Sequence, residues 1–111
     1  MSKRKDWVRL RHMLDAGQEA LSFAEGKSRE SLDVDRQLVL ALVKSIEILG
    51  EASSRVSKET RDSHPQIPWQ EIIAMRNRLI HAYYEINLDL VWDTLTADLP
   101  PLVRALETLL R

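Results

Sequence analysis

The residues best suited to chemistry lie in one ten-residue segment, RNRLIHAYYE, at positions 76–85. Arg76 is permanently charged and can bind a phosphate through two hydrogen bonds. His81 follows five positions later and can exchange a proton near neutral pH. Cleaving RNA without a metal ion needs both kinds of group. One group takes the 2′-hydroxyl proton and returns a proton to the leaving 5′-oxygen, and a cation stabilises the charge that develops on the phosphate.

Arg76 also occupies an unusual position in the helix that this region predicts. At about 100° per residue, the apolar side chains gather within an arc of roughly 160°. They are Trp69, Ile72, Ile73, Met75, Leu79, Ile80 and Tyr83. Arg76 falls near the middle of this arc. Because a buried guanidinium without a partner is very costly, either a carboxylate or a second chain should face it.

The preceding predicted helix supplies a candidate carboxylate in the segment ILGEASS, residues 48–54. Gly50 in the middle of a helix costs about 1 kcal/mol relative to alanine, which is best explained by the close approach of another helix. Glu51 stands beside it. Glu51 and Arg76 could form a purely structural buried pair, or Glu51 could orient Arg76 toward a phosphate.

Two further residues of the segment could support this chemistry. Asn77 precedes His81 by one helical turn and could fix the histidine tautomer or bind substrate. Arg78 could add positive potential, although a solvated charge is equally plausible. Arg76 and His81 are about 140° apart on an ideal helix. They can meet at one phosphate only if the helix end is distorted or if two chains each contribute, so we favour a symmetric dimer cleft.

Helical periodicity extends over nearly the whole chain, and no segment alternates with period two. The first three predicted helices run from about Asp6 to Ala24, from an N-cap at Asp33 through Val56, and from about Pro68 to Ala82. A fourth helix begins at a cap at Asn87 and kinks or restarts at Pro100 and Pro101, with a last helical piece beyond. Gly26 fits a C-terminal cap, and SKETRDSHPQIP is the longest connection. The sequence predicts one domain, residues 1–111, folded as an all-α up-and-down bundle of four to five helices.

Composition sets limits on function. The 111 residues include sixteen basic and seventeen acidic side chains, for a net charge of −1. Proteins dedicated to tracking phosphates are usually strongly basic, so any RNA would have to bind in a local basic cleft. His12 and His64 lack partners at metal-ligand spacing and are expected at the surface. No metal site or cofactor is predicted.

The expected compartment is the cytoplasm. The chain has no cysteine, which suits a reducing environment. The basic start MSKRKDW is not followed by the apolar segment of a secretory signal. The longest apolar run, LVLALV at 38–43, is too short to span a bilayer, so no membrane association is expected.

The pattern Arg76, four residues, His81, one residue, Tyr83 resembles the Arg-x4-His-x-Tyr signature of the HepT-like branch of the HEPN superfamily, small all-helical ribonuclease toxins. Asn77 matches the polar residue that usually follows the arginine. LGEASSRVS is similar to the Gly-Glu-Ala segment of that family, and IPWQEIIAMRNRLIHAYYEINLDLVWDTLTADLPPL resembles its C-terminal half. The likeness extends over nearly the whole chain, most securely over residues 36–102.

The resemblance implies a homodimer in which both copies of the motif line a shared cleft, and a metal-independent endoribonuclease acting as a toxin. It also implies a cognate antitoxin, a minimal nucleotidyltransferase of the MntA type, that adds AMP to the motif tyrosine. That residue would be Tyr83, although the adjacent Tyr84 leaves the choice between them open. The alternative is a non-catalytic helical dimer that binds nucleotide or a nucleotidyltransferase partner.

Overall fold

The computed structural model describes residues 3–81 and 86–111, with side chains described for 4–79 and from 86 onward. Most of these residues are helical, and no strand occurs among them, which confirms the predicted all-α class. The elements are α1 (Lys3–Phe23), α2 (Ser31–Val34), α3 (Arg36–Ser54), α4 (Lys58–Ser63), α5 (Trp69–His81), α6 (Leu88–Asp93), a π-helical turn (Thr94–Asp98) and α7 (Leu99–Leu109).

Helices α1 and α3 form the centre of the bundle. They pack along each other, α5 packs on α3, and α7 packs on α1. The largest fully buried apolar side chains come from these four helices, from α6 and from the connection before α5: Leu10, Met13, Leu42, Ile46, Leu49, Ile67, Leu79, Val91, Leu99 and Leu106. In the described ranges, no helix combines the length and the apolarity needed to cross a bilayer. Helix α3 therefore packs against both α1 and α5.

The start of α3 differs from the prediction. Its N-cap is Asp35, whose side chain accepts a hydrogen bond from the Leu38 amide at 3.0 Å. The prediction that Asp33 caps this helix was wrong. Asp33 lies in the short helix α2, and its carboxylate pairs with Arg29 at 3.1 Å. Arg29 also donates to Asp89 at 2.8 Å, which ties this region to α6. Asp89 and then Asp33 raise the pKa of the Arg29 guanidinium.

The long connection between α3 and α5 contains an additional short helix, α4. The side chain of Ser57 caps α4 by accepting from the Thr60 amide at 3.3 Å. The indole Nε1 of Trp69 donates to the carbonyl oxygens of Arg61, at 3.1 Å, and His64, at 3.0 Å. The prediction of a simple connection was therefore incomplete, since capping and a tryptophan anchor give this segment a defined conformation.

The other predicted boundaries agree more closely with the structure. Gly26 has φ +75°, as a cap after α1 requires. Pro68 directly precedes α5, and its carbonyl accepts the first helical bond from Ile72 at 3.0 Å. Asn87 caps α6 as predicted. The C-terminal helix restarts at Leu99, with prolines in its first turn, after the π-helical turn. Ala82, the predicted end of the third helix, lies outside the described residues.

Four apolar side chains of α5 pack inside the chain itself. Trp69, Ile72, Met75 and Leu79 are all buried against the rest of the bundle. The abundance of apolar residues on this helix therefore does not by itself require a second chain. The homodimer stays a prediction.

A buried carboxylate joins the start of α1 to α4. Asp6 is 3% exposed and accepts hydrogen bonds from the Ser57 amide at 3.0 Å, the Ser57 hydroxyl at 2.6 Å and the Thr60 hydroxyl at 2.6 Å. Burial acts to raise the pKa of Asp6, but these three hydrogen bonds outweigh it and hold the pKa below its ordinary value. The ionised carboxylate thus stabilises this end of the bundle.

We expect Asp6→Asn to lower the free energy of unfolding at pH 7 by about 1.5–3 kcal/mol, the range for hydrogen bonds to a charged group. Because the folded-state pKa is depressed, the contribution of Asp6 is complete above the ordinary aspartate pKa and is lost as the pH falls through the folded-state value. The difference from wild type should therefore shrink as the pH falls below about 4. Urea unfolding between pH 7 and 3 measures it.

Asp15→Asn, which alters an exposed carboxylate on the same helix, is the control and should change stability little at any pH. An Asp6→Asn protein as stable as wild type at pH 7 would contradict the role given to the carboxylate.

Candidate functional site

The predicted motif arginine is held against α3 at the one place where α3 has no side chain. A Cβ placed on Gly50 would lie 2.6 Å from Cβ, 2.9 Å from Cγ and 2.7 Å from Cδ of Arg76. Real side chains do not tolerate such distances, so only glycine admits the arginine stem here. The expectation that Gly50 marks the close approach of another helix is confirmed.

Glu51 binds two arginines at once. Its Oε2 lies 2.9 Å from Nη2 of Arg76, and its Oε1 lies 3.0 Å from Nε of Arg55, one turn further along α3. The side chain of Arg76 is 27% exposed and that of Glu51 45% exposed. The pair predicted from the sequence is present, but it is not buried. At this exposure an ion pair contributes only about 0–1 kcal/mol to stability, so its main effect is to fix the direction of the Arg76 guanidinium.

The pair lies at the wall of a groove of about 500 Å³ between α1, α3 and α5. The lining residues are Arg9, His12, Lys44, Glu47, Ile48, Glu51, Ala52, Arg55 and Arg76. Four of these side chains are cationic and two are anionic, so the groove carries two net positive charges in a chain whose net charge is −1. The local basic cleft that RNA binding would require is therefore present.

The other described side chains of the motif, those of Asn77 and Arg78, do not line this groove. Asn77 and Arg78 are exposed, and Arg78 lines a second groove, between α5 and α7, that also contains Asp98. The backbone of His81 is the last helical position of α5. Its side chain is not among those described, and Tyr83 and Tyr84 lie outside the described residues. The structure thus joins Glu51 to Arg76, and the roles of the other motif residues stay predictions.

Sequence reasoning missed most of the groove. Arg55 could have been found, because it follows Glu51 by four residues and so shares its face of α3. No spacing in the sequence points to Arg9 and Lys44, because only the packing of the helices brings them to the same groove as Arg76. His12 is exposed, as predicted, but it lines this groove. His64 is the C-cap that follows α4, and it is half-buried at a pocket that Asp6 also lines.

Acidic residues and histidines do not gather into a metal-binding group in the part of the chain described. No set of three or more His, Asp or Glu residues there is placed to hold a metal ion. The guanidinium and ammonium groups of the groove can bind anions through charge-assisted hydrogen bonds.

The fold and the groove together define a small all-helical protein with a basic surface organised around one arginine. The sequence profile of the family described as "Ribonuclease HepT-like" matches residues 13–109, and the chain belongs to that family. The resemblance seen in the motif is thereby confirmed over most of the chain.

Named relatives agree with this assignment. "Putative RNase TTE0752" of Caldanaerobacter subterraneus is 35% identical over 92% of this chain and 91% of its own length. "Probable ribonuclease HepT" of Thermococcus cleftensis is 37% identical over 68% of each chain. "Putative RNase MJ1380" of Methanocaldococcus jannaschii is 29% identical over 96% of this chain and 98% of its own. No solved structure matches the chain significantly.

Proposed function

We propose that this protein is an endoribonuclease that cleaves RNA without a metal ion, and that it acts as the toxin of a toxin–antitoxin pair. The observation that carries the proposal is the position of Arg76, oriented by Glu51 at 2.9 Å and partly exposed at a basic groove. Membership of the HepT-like family and the ribonuclease names of the relatives support it.

The chemistry assigns complementary roles to two residues of α5. His81 takes the proton of the RNA 2′-hydroxyl, whose oxygen then attacks the adjacent phosphorus. The bond from phosphorus to the 5′-oxygen breaks, and the leaving oxygen receives a proton, so the products carry a cyclic phosphate and a 5′-hydroxyl. Arg76 binds the phosphate oxygens and stabilises their added charge in the transition state. Asn77 assists His81, and Glu51 positions Arg76.

The helical backbone of α5 supports a site shared between two chains. The helix is continuous from Trp69 to His81, so no distortion up to His81 brings the histidine round to the arginine. Positions five residues apart then differ by about 140° around the helix. We infer a two-fold homodimer in which Arg76 of one chain and His81 of the other act on the same phosphate.

Regulation follows from the tyrosine that ends the motif. A nucleotidyltransferase antitoxin of the MntA type would transfer AMP from a nucleotide to the Tyr83 hydroxyl, with release of pyrophosphate. The adduct would bring a bulky group and a negative charge next to the arginine that binds RNA phosphate. It would block the cleft without unfolding the bundle.

Substitution of His81 tests the chemistry. We expect His81→Ala to reduce RNA cleavage by about 10²–10⁴-fold, the usual effect of removing a general acid–base group, with unchanged helical content. Arg76→Ala should also inactivate the protein. Cleavage is measured on labelled RNA with excess EDTA. His64→Ala, at a histidine outside the groove, should cleave at the wild-type rate. Cleavage that required a divalent metal, or that survived in His81→Ala, would refute the mechanism.

Mixing the two inactive variants tests the shared site. A mixed dimer of Arg76→Ala and His81→Ala chains has one composite site with both groups intact and one with neither. With random pairing half of the dimers are mixed, and each has one complete site out of two, so mixing should restore about a quarter of the wild-type activity. If the two residues act within one chain, mixing restores nothing. A species of only 12.8 kDa in sedimentation at micromolar concentration would also exclude the dimer.

Co-expression with a neighbouring nucleotidyltransferase tests the regulation. We expect intact-mass spectra to show one or more AMP additions, peptide mapping to place them on Tyr83, and Tyr83→Phe to abolish them. Tyr84→Phe is the matched control and should still be modified. A neutralised toxin of unmodified mass would contradict regulation by AMP transfer and indicate masking through complex formation.

A further inference from the structure

Three cations of the groove lie outside the family motif. Arg9 comes from α1, and Lys44 and Arg55 come from α3, whereas Arg76 comes from α5. The ion pairs that Lys44 and Arg55 form contribute little to the free energy of unfolding. Lys44 is 3.8 Å from Glu47 with its side chain 69% exposed, and the side chain of Arg55 is 57% exposed. Such surface pairs contribute only about 0–1 kcal/mol, so structural stability does not account for these cations.

The ion pairs just described use few of the N–H donors that these cations carry. A guanidinium carries five N–H donors and an ammonium carries three. Arg55 directs Nε toward Glu51, which leaves the rest of its donors for a ligand. Because Glu51 also binds Arg76, the two guanidinium groups are held on either side of one carboxylate. The groove thus presents a fixed pair of arginines, with Arg9 and Lys44 along the same surface.

We infer that Arg9, Lys44 and Arg55 form a track that binds the backbone of single-stranded RNA next to the phosphate held by Arg76. The inference rests on the proposed function and assigns its substrate-binding surface. A groove of about 500 Å³ lies within the usual range of small-molecule sites, so it accommodates one or two nucleotides of a flexible strand and not a duplex. Two net positive charges match that length of backbone.

A track of this kind binds the backbone and does not read the sequence. Contacts from Lys and Arg to phosphate oxygens position nucleic acid, whereas sequence is read at the base edges. Loss of one cation should therefore weaken binding equally for different sequences. It should also reduce the dependence of affinity on salt, because fewer counterions are released on binding. These two signatures separate a phosphate contact from a general effect on folding.

Binding is measured with short fluorescent RNAs in which every 2′-hydroxyl is methylated, so that the attacking group is absent and cleavage cannot occur. Anisotropy titrations at several salt concentrations give the Kd and its salt slope for oligo(U), oligo(A) and oligo(C). The variants are Arg9→Gln and Lys44→Gln. The matched controls are Arg36→Gln and Arg104→Gln, which remove the same charge from exposed positions on α3 and α7.

We expect each groove variant to raise the Kd by about threefold or more for all three sequences and to reduce the salt slope by about 0.7, the value for one phosphate contact on a single strand. The controls should change the Kd by less than about twofold, since they alter only the long-range field. Arg55→Lys should retain most of the affinity and Arg55→Gln should not. Circular dichroism confirms that each variant is folded.

Groove variants that bind as tightly and with the same salt slope as the controls would overturn the inference, as would wild-type protein that shows no salt-dependent binding. Cleavage of unmodified RNA is measured separately. Wild-type protein that binds through the groove but cuts no RNA would refute the proposed ribonuclease and leave the track supported. Cleavage with undiminished affinity in the variants would refute the track alone.

Discussion

The absence of a side chain at Gly50 is the constraint on which the site depends. It lets the stem of Arg76 lie directly on the backbone of α3, where a Cβ would come within 2.6 Å of it. The next residue, Glu51, is then within 2.9 Å of the guanidinium. A glycine inside a helix costs about 1 kcal/mol relative to alanine, and the half-exposed ion pair contributes no more than that. The arrangement therefore gains little stability, and its consequence is a guanidinium with a fixed position at the groove.

That position gives a chain of nearly balanced charge a basic surface. The chain as a whole carries −1, while the groove carries two net positive charges from helices distant in sequence. A polyanion is therefore attracted to this groove and not to the whole surface. Charges more than about 8 Å from the bound polyanion are largely screened at physiological salt. The central place of α3 in the bundle makes this possible, since it contributes Lys44, Glu51 and Arg55 between Arg9 of α1 and Arg76 of α5.

The sequence predicted the features whose causes are local or periodic. The helical class, the contact at Gly50 and the pairing of Glu51 with Arg76 all follow from spacing and from the cost of an unpaired charge. The start of α3 was harder to predict, because Asp33 and Asp35 are both good caps. In the structure Asp35 caps α3, while Asp33 lies in α2 and pairs with Arg29. The anchoring of α4 by Asp6, and the basic groove with Arg9 and Lys44, could not be predicted, because tertiary packing alone brings these residues together.

The most direct test of the central claim is the cleavage rate of Gly50→Ala per folded molecule under single-turnover conditions. The added methyl group must displace the stem of Arg76, and a shift of about 1 Å at a reacting group can cost 10²-fold in rate. Gly17→Ala is the matched control, because its Cβ would lie 2.8 Å from Cγ2 of Val103, away from the groove. We predict that Gly50→Ala folds but cleaves RNA at least about tenfold more slowly, whereas folded Gly17→Ala keeps the wild-type rate. Folded Gly50→Ala protein that cleaves RNA at the wild-type rate would contradict the account.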